Sequence, residues 1–245
     1  MCWYFFRPAY YFLKEKFKAM ADSEVDKKYR PMRDRFGADH ARANGYVADW
    51  FFLREQAFLI PKIKPGKVLD VACGSGLMLQ PLNDSHEVIG IDFNNTACQQ
   101  ALLNRVNVVR GDAFSLPFED ASFDVVTNCQ FFNQQPTRQV ELMIREAGRV
   151  LKPGGHMHLM WRGAHTVIHR FTYGLISLVN YLVGRPNFPQ FDHMPDQIMP
   201  LLTDCQLSPG AQRMTLPVGA ADVQPNSVTA KIFGASHYLM LEKRD

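Results

Sequence analysis

Between residues 66 and 162, short apolar runs alternate with longer amphipathic ones. "KVLDVA" is followed by "GLMLQPL", "EVIGID" by "NTACQQALL", and "VNVVRGD" by a loop. "FDVVTN" precedes the helical pattern "TRQVELMIREAGRVL", and the stop signal "KPGG" precedes "HMHLMW". Strand and helix alternating at this pitch predict right-handed βαβ units and a parallel sheet. The runs are nearly all apolar, as strands covered on both faces are. A helix around Pro195 to Cys205 leads to "AQRMTLPV" and "ASHYLMLEK", whose stronger alternation suits edge strands. The expectation is an α/β fold: a doubly wound, seven-stranded mixed sheet.

The flanks read differently. Residues 1–63 are predicted to form an N-terminal helical cap, and residues 64–245 the main domain, with a helical insertion after strand five at about 163–194. Pro8 suits a helix start, and Tyr10, Leu13, Phe17 and Met20 then mark one face, with Lys14, Lys16 and Lys18 elsewhere. Such a helix fits a cap, a homodimer contact or peripheral contact with a membrane through residues 1–20. In the insertion, residues 164–190 contain no acid, and Phe171, Leu175, Leu178, Val179 and Leu182 fall at helical spacing. They form either a core-facing helix or a lid over an apolar pocket.

Bulk composition narrows the function classes. A formal charge of +3 is too weak a bias to suggest nucleic acid. The 5 cysteines are scattered without a C-x-x-C pair, which argues against a disulfide framework or a structural zinc site and for a reducing cytoplasm. No apolar run reaches the ~18–20 residues of a membrane span, and the N-terminus lacks the layout of a secretory signal.

The chemistry concentrates at "VLDVACGSG", residues 68–76. In a doubly wound sheet, ligands sit beyond the carboxyl ends of the strands, where Asp70 and the turn Gly74-Ser75-Gly76 are expected. Glycine permits close backbone approach, and a helix starting after the turn would offer free N–H groups to an anion. A dinucleotide fingerprint needs glycine or alanine where Leu79 stands, and a P-loop pattern is absent. Asp92 ends the second strand, where a carboxylate can accept from both ribose hydroxyls. Asp112 ends the third, where a carboxylate can accept from an adenine amine while the next backbone N–H donates to the ring. These positions fit an adenosine ligand, with either a dinucleotide or another tail.

"VLDVACGSG", "VIGIDFN", "GDAFSLPFEDASFDVV" and "REAGRVLKPGG" occur in the order and spacing of the motifs of class I S-adenosylmethionine-dependent methyltransferases, and the chain resembles their small-molecule, quinone-methyltransferase branch over roughly residues 66–162. Ala72 stands where many members have a first glycine. The resemblance implies S-adenosyl-L-methionine as cofactor. It puts Asp70, Ala72, Gly74, Ser75 and Gly76 at its amino-acid end, Asp92 on the ribose, and Phe93 against adenine. It puts Asp112 and Ala113 on the adenine edge and Asn128, just after the fourth strand, near the methionine portion. Tyr46 is a candidate cap for the cofactor carboxylate. Asp124 reads as structural.

The implied reaction is in-line displacement onto a small, largely apolar or aromatic acceptor such as a quinone or polyketide. Alternatives are a lipid or membrane-borne acceptor, and a protein that binds the cofactor without catalysis. For a general base, His165, His169 and Tyr173 follow strand five, whereas His156 and His158 share one face within it and read as structural. Many relatives carry a His pair after the fourth strand; here Phe132-Asn133 stands there. The N-P-P and D-P-P-Y motifs of base-amino methylation are missing, which argues against nucleic-acid substrates.

Overall fold

The computed structural model describes residues 53–163, 195–215, 222–224 and 236–244, and single positions at 166, 167, 170, 171, 174, 175, 178, 182, 193, 227, 229, 231 and 234. Most of the expected N-terminal cap and of the insertion, with Tyr46, His165, His169 and Tyr173, lies outside them.

Among the described residues, a helix over residues 53–59 (α1) precedes a sheet of 8 strands. These are β1 (Lys67–Val71), β2 (Glu87–Asp92), β3 (Asn107–Arg110), β4 (Phe123–Cys129), β5 (Leu151–Arg162), β6 (Leu207–Thr215), β7 (Asp222–Val223) and β8 (Ser236–Lys243). Their order is β3-β2-β1-β4-β5-β8-β6-β7. The first five run parallel, and β8 pairs antiparallel with β5 and with β6. The sequence pattern predicts seven strands. The eighth, β7, is two residues pairing with Met214 and Thr215, too short to leave a period-two signature.

Alternation along the strands splits the core in two. Leu69, Val71, Ile91, Val126, Met157 and Leu159 face one side, where α3 (Thr137–Val150) covers them with Val140, Met143, Ile144 and Ala147. Val68, Val88, Val108, Val125 and Met160 face the other, against Phe58 and Leu59 and against Cys98 and Ala101 of α2 (Asn95–Leu103). The wall of α3 follows from its apolar residues at spacings of three and four. The start of α2 is fixed by Asn94, whose side chain accepts from Thr96 N and Ala97 N.

One expected helix is absent. After the glycine turn, "GLMLQPL" forms turns and a 3₁₀ segment, Gln80–Leu82, closed by Leu82 N to Leu79 O and Asn83 N to Gln80 O. Pro81 supplies no N–H and disfavours helical geometry at the residue before it, so an α-helix cannot propagate here. The anion-binding helix terminus anticipated after the turn is therefore not built.

At the amino ends of the strands, Asp124 accepts from Lys67 N and Lys152 Nζ at 2.9 and 2.7 Å. The Lys152 hydrogen bond and the Lys67 N–H hold its carboxyl below the usual range. This is the structural role expected of it. "KPGG" is not a gap between elements but an irregular start of β5, where pairing with β4 jumps from Leu151 to His156.

Candidate functional site

The carboxyl ends of β3, β2 and β1 lie side by side in the sheet, and each carries one of the expected acids or leads into it. Asp70 is in β1, Asp92 closes β2, and Asp112 follows β3. Strand adjacency thus gathers residues 42 positions apart at one sheet edge.

Asp92 is buried and organises the turn. Its Oδ2 accepts from Gly74 N at 2.9 Å and its Oδ1 from Asn94 N at 2.8 Å. Burial raises its pKa, opposed by the N–H groups of Asn94, Gly74 and Phe93. A carboxylate has about four acceptor positions, so these N–H groups leave room for a hydroxyl donor. The turn is pinned elsewhere too: Cys73 N donates to Ile91 O, Gly76 N to Cys73 O, and Asn104 Nδ2 to Ser75 O. Gly76 sits at φ 74° against Val106, where a Cβ would come within 2.9 Å. Ala72 holds φ 58°, a left-handed conformation that suits glycine better.

Asp70 is 3% exposed and accepts from Thr127 Oγ1 at 2.7 Å. Burial pushes its pKa up to about 7; the Thr127 bond opposes that rise and the Asp92 charge adds to it. A buried carboxyl with one neutral donor is suited to receive a cation. Asn128 lies within β4 rather than after it, fully buried, with Nδ2 donating to Val71 O at 2.7 Å and Oδ1 unpartnered.

Beside these groups is a small pocket lined by Ala72, Ile91, Asp92, Phe93, Gly111, Asp112, Ala113, Phe114, Phe131 and Gln135. It brings together Ala72, Asp92, Phe93, Asp112 and Ala113 of the expected set; Asp70, Gly74, Ser75, Gly76 and Asn128 are not in its lining. Asp112 also starts a turn, with Oδ1 accepting from Phe114 N at 2.9 Å. Phe114 and Phe131 approach to 5.9 Å between ring centres. Sequence reasoning misses Phe114, Phe131, Gln135 and Thr127. Thr127 becomes findable once β4 is set beside β1, because it then faces Asp70 in register.

Glu55, also missed, is buried near the carboxyl ends of β4 and β5. It accepts from Gln130 Nε2, Ser236 Oγ and Arg54. Burial raises its pKa, with Ser236, Arg54 and Gln130 opposing. Asn133, where a His pair is common, is tied to β5: Nδ2 donates to Arg162 O and Oδ1 accepts from Arg162 N. His158 donates to or accepts from Tyr238 Oη at 2.9 Å, and burial lowers its pKa to about 4, which fits a structural role. Burial raises the Cys73 and Cys129 thiols well above their usual value, so neither is an activated nucleophile. Among the described residues, no three His, Cys, Asp or Glu side chains cluster as a metal would require.

Residues 69–159 match the family model of the methyltransferase domain. The demethylmenaquinone methyltransferase of Staphylococcus aureus is 41% identical over 101 residues, which cover 38% of this chain and 41% of that protein. The chain thus spans about two fifths of the length of the curated relatives it matches. An S-adenosylmethionine-dependent methyltransferase of Thermotoga maritima, described as a possible histamine N-methyltransferase, superposes with a TM-score of 0.65 at 18% identity, over 87% of this chain and 99% of that one. Magnesium protoporphyrin IX methyltransferase of Synechocystis PCC 6803, solved with bound S-adenosylhomocysteine, gives 0.62 at 18% identity, over 87% and 98%. Over residues 69–159 the chain is thus similar to the methyltransferase domain, and its fold is the Rossmann-like one of solved S-adenosylmethionine-dependent methyltransferases.

Proposed function

We propose that the protein transfers a methyl group from S-adenosyl-L-methionine to a small, largely apolar ring acceptor of the quinone type. The convergence of Asp70, Asp92 and Asp112 at the carboxyl ends of three adjacent strands carries this reading. The donor set fits such a cofactor: a buried carboxyl for an ammonium, a second for ribose hydroxyls, and an apolar slot with a polar edge for a base. The matched demethylmenaquinone methyltransferase segment supports the acceptor class.

The cofactor supplies an electrophilic methyl on a sulfonium. The chain's part would be to hold the cofactor and to orient the acceptor nucleophile toward that methyl. Asp70 anchors the amino-acid end, with Gly74, Ser75 and Gly76 bordering it. Asp92 fixes the ribose, and Phe93, Asp112 and Ala113 the base. Asn128, which ties β4 to β1, would lie near the methionine portion. His165, His169 and Tyr173 remain the candidate bases, and Tyr46 the candidate carboxylate cap. A base would add ~10²–10⁴-fold where the acceptor must lose a proton.

The test is transfer of labelled methyl from S-adenosylmethionine to a panel of reduced quinones, polyketides and amines. Labelled, methylated reduced quinone is the expected product. Cofactor binding with no transfer to any acceptor would favour a non-catalytic binding protein.

A membrane-borne acceptor is the second reading, favoured by the insertion. Val167, Phe171, Leu175 and Leu178 are helical and 53–74% exposed, as is Leu182 at 71%. Their exposure supports the lid over the core-facing alternative; Val179 lies outside the described residues. An acid-free, apolar helical face with Arg170 exposed on it suits an anionic lipid surface. The full chain should co-sediment with vesicles containing anionic lipid, and Leu175→Glu with Leu178→Glu should release it. Negligible binding by the unaltered chain would sink this reading.

A further inference from the structure

Gln135 stands out among the residues that line the pocket. It is fully buried, and neither its Nε2 nor its Oε1 has a partner. Its backbone is fixed at both ends: its N–H donates to Phe132 O at 2.9 Å, and its carbonyl accepts from His193 Nε2 at 2.8 Å. Pro136 follows and caps α3. The backbone is thus fixed, while the buried carboxamide has its amine and its oxygen both unused. Buried amides are nearly always satisfied, so an orphaned pair beside a pocket marks a place for a ligand with the complementary pair.

We infer that Gln135 is a specificity residue for the base of the bound nucleoside, its carboxamide pairing with the amine and N7 of an adenine ring. This rests on the cofactor reading above. Gln presents one acceptor and one donor in a plane, which matches the adenine N6 hydrogen and N7. Asp112 and the Ala113 N–H account for the other N6 hydrogen and the opposite ring nitrogen, so the two contacts do not compete. The aromatic side chains of Phe93, Phe114 and Phe131 line the same pocket and suit a flat ring. A hypoxanthine base would present an oxygen where adenine has its amine, facing Asp112 and the Gln135 Oε1 with acceptor against acceptor.

Calorimetry of the full chain with S-adenosylhomocysteine and with its 7-deaza analogue tests the pairing. The unaltered protein should bind the 7-deaza compound at least fivefold more weakly, because Nε2 then loses its acceptor. Gln135→Met should weaken S-adenosylhomocysteine at least fivefold and bring the two ligands within twofold of each other. Gln135→Glu keeps an acceptor and loses the donor, so it should also lose the preference; it serves if the Met variant misfolds. Equal affinity of the unaltered protein for both ligands overturns the inference without any variant. So does an unchanged preference in a folded variant. If the unaltered protein binds neither ligand, the cofactor reading itself fails.

Discussion

If Asp70 receives the ammonium of the cofactor, binding must be linked to protons. Its pKa in the ligand-free protein is about 7, raised by burial. The ionised form is the one that pairs with a cation. At pH 6 about one eleventh of the protein carries that form, and at pH 8 about ten elevenths. Affinity should therefore fall about tenfold from pH 8 to pH 6, roughly 1.4 kcal/mol. At pH 7 binding should release about half a proton from Asp70. Calorimetry with S-adenosylhomocysteine in buffers of different ionisation enthalpy reads both the affinity and the proton count. Thr127→Val removes the hydrogen bond that opposes the rise, and should move the midpoint upward. Asp70→Asn should bind weakly and with a much flatter pH dependence. Equal affinity at pH 6 and pH 8 with no proton release would refute the linkage.

Asp92→Ala should weaken S-adenosylhomocysteine by well over tenfold, since charge-assisted hydrogen bonds contribute roughly 1.5–3 kcal/mol each. It should also lower stability in denaturant unfolding, because Gly74 N and Asn94 N lose their acceptor. Ala72→Gly should raise stability by about 1 kcal/mol and the melting temperature by ~2–4 °C, because relief at φ 58° exceeds the added chain entropy. For His158, the folded pKa of about 4 lies below the ordinary value of 6.5, so the unfolded chain binds more protons between them. Its contribution is present above about pH 6.5 and is lost as pH falls toward 4, roughly 3 kcal/mol in all. His158→Phe should remove that acid sensitivity in unfolding at pH 4.5, 5.5 and 6.5. Asp70 then remains with the opposite slope, because it keeps its proton in the folded state up to about pH 7. An unchanged profile would show that His158 is not the responsible group.

Much of this architecture is legible from residues alone because parallel strands buried on both faces leave near-continuous apolar runs. β1, β2, β4 and α3 announce themselves in that way. The acids Asp70, Asp92 and Asp112 are legible because a doubly wound sheet exposes strand ends in a known place. What is missed depends on tertiary context. β7 is too short for a pattern. The segment after the glycine turn has apolar residues at helical spacing, and Pro81 outweighs them. Asn128 is placed one element too late because β4 continues to Cys129. Gln135 has no motif; its interest lies in burial and unmet hydrogen bonds, which no local spacing encodes. Glu55 reads as an ordinary charged helix residue until Gln130 and Ser236 are brought to it.

The most direct test of the central claim is calorimetric titration of the full chain with S-adenosylhomocysteine, with Asp92→Ala and a nicotinamide dinucleotide as controls. The account predicts one-to-one binding to the unaltered chain, affinity lowered by well over tenfold in the variant, and no competition from the dinucleotide. Absence of binding, or displacement by the dinucleotide, would contradict it.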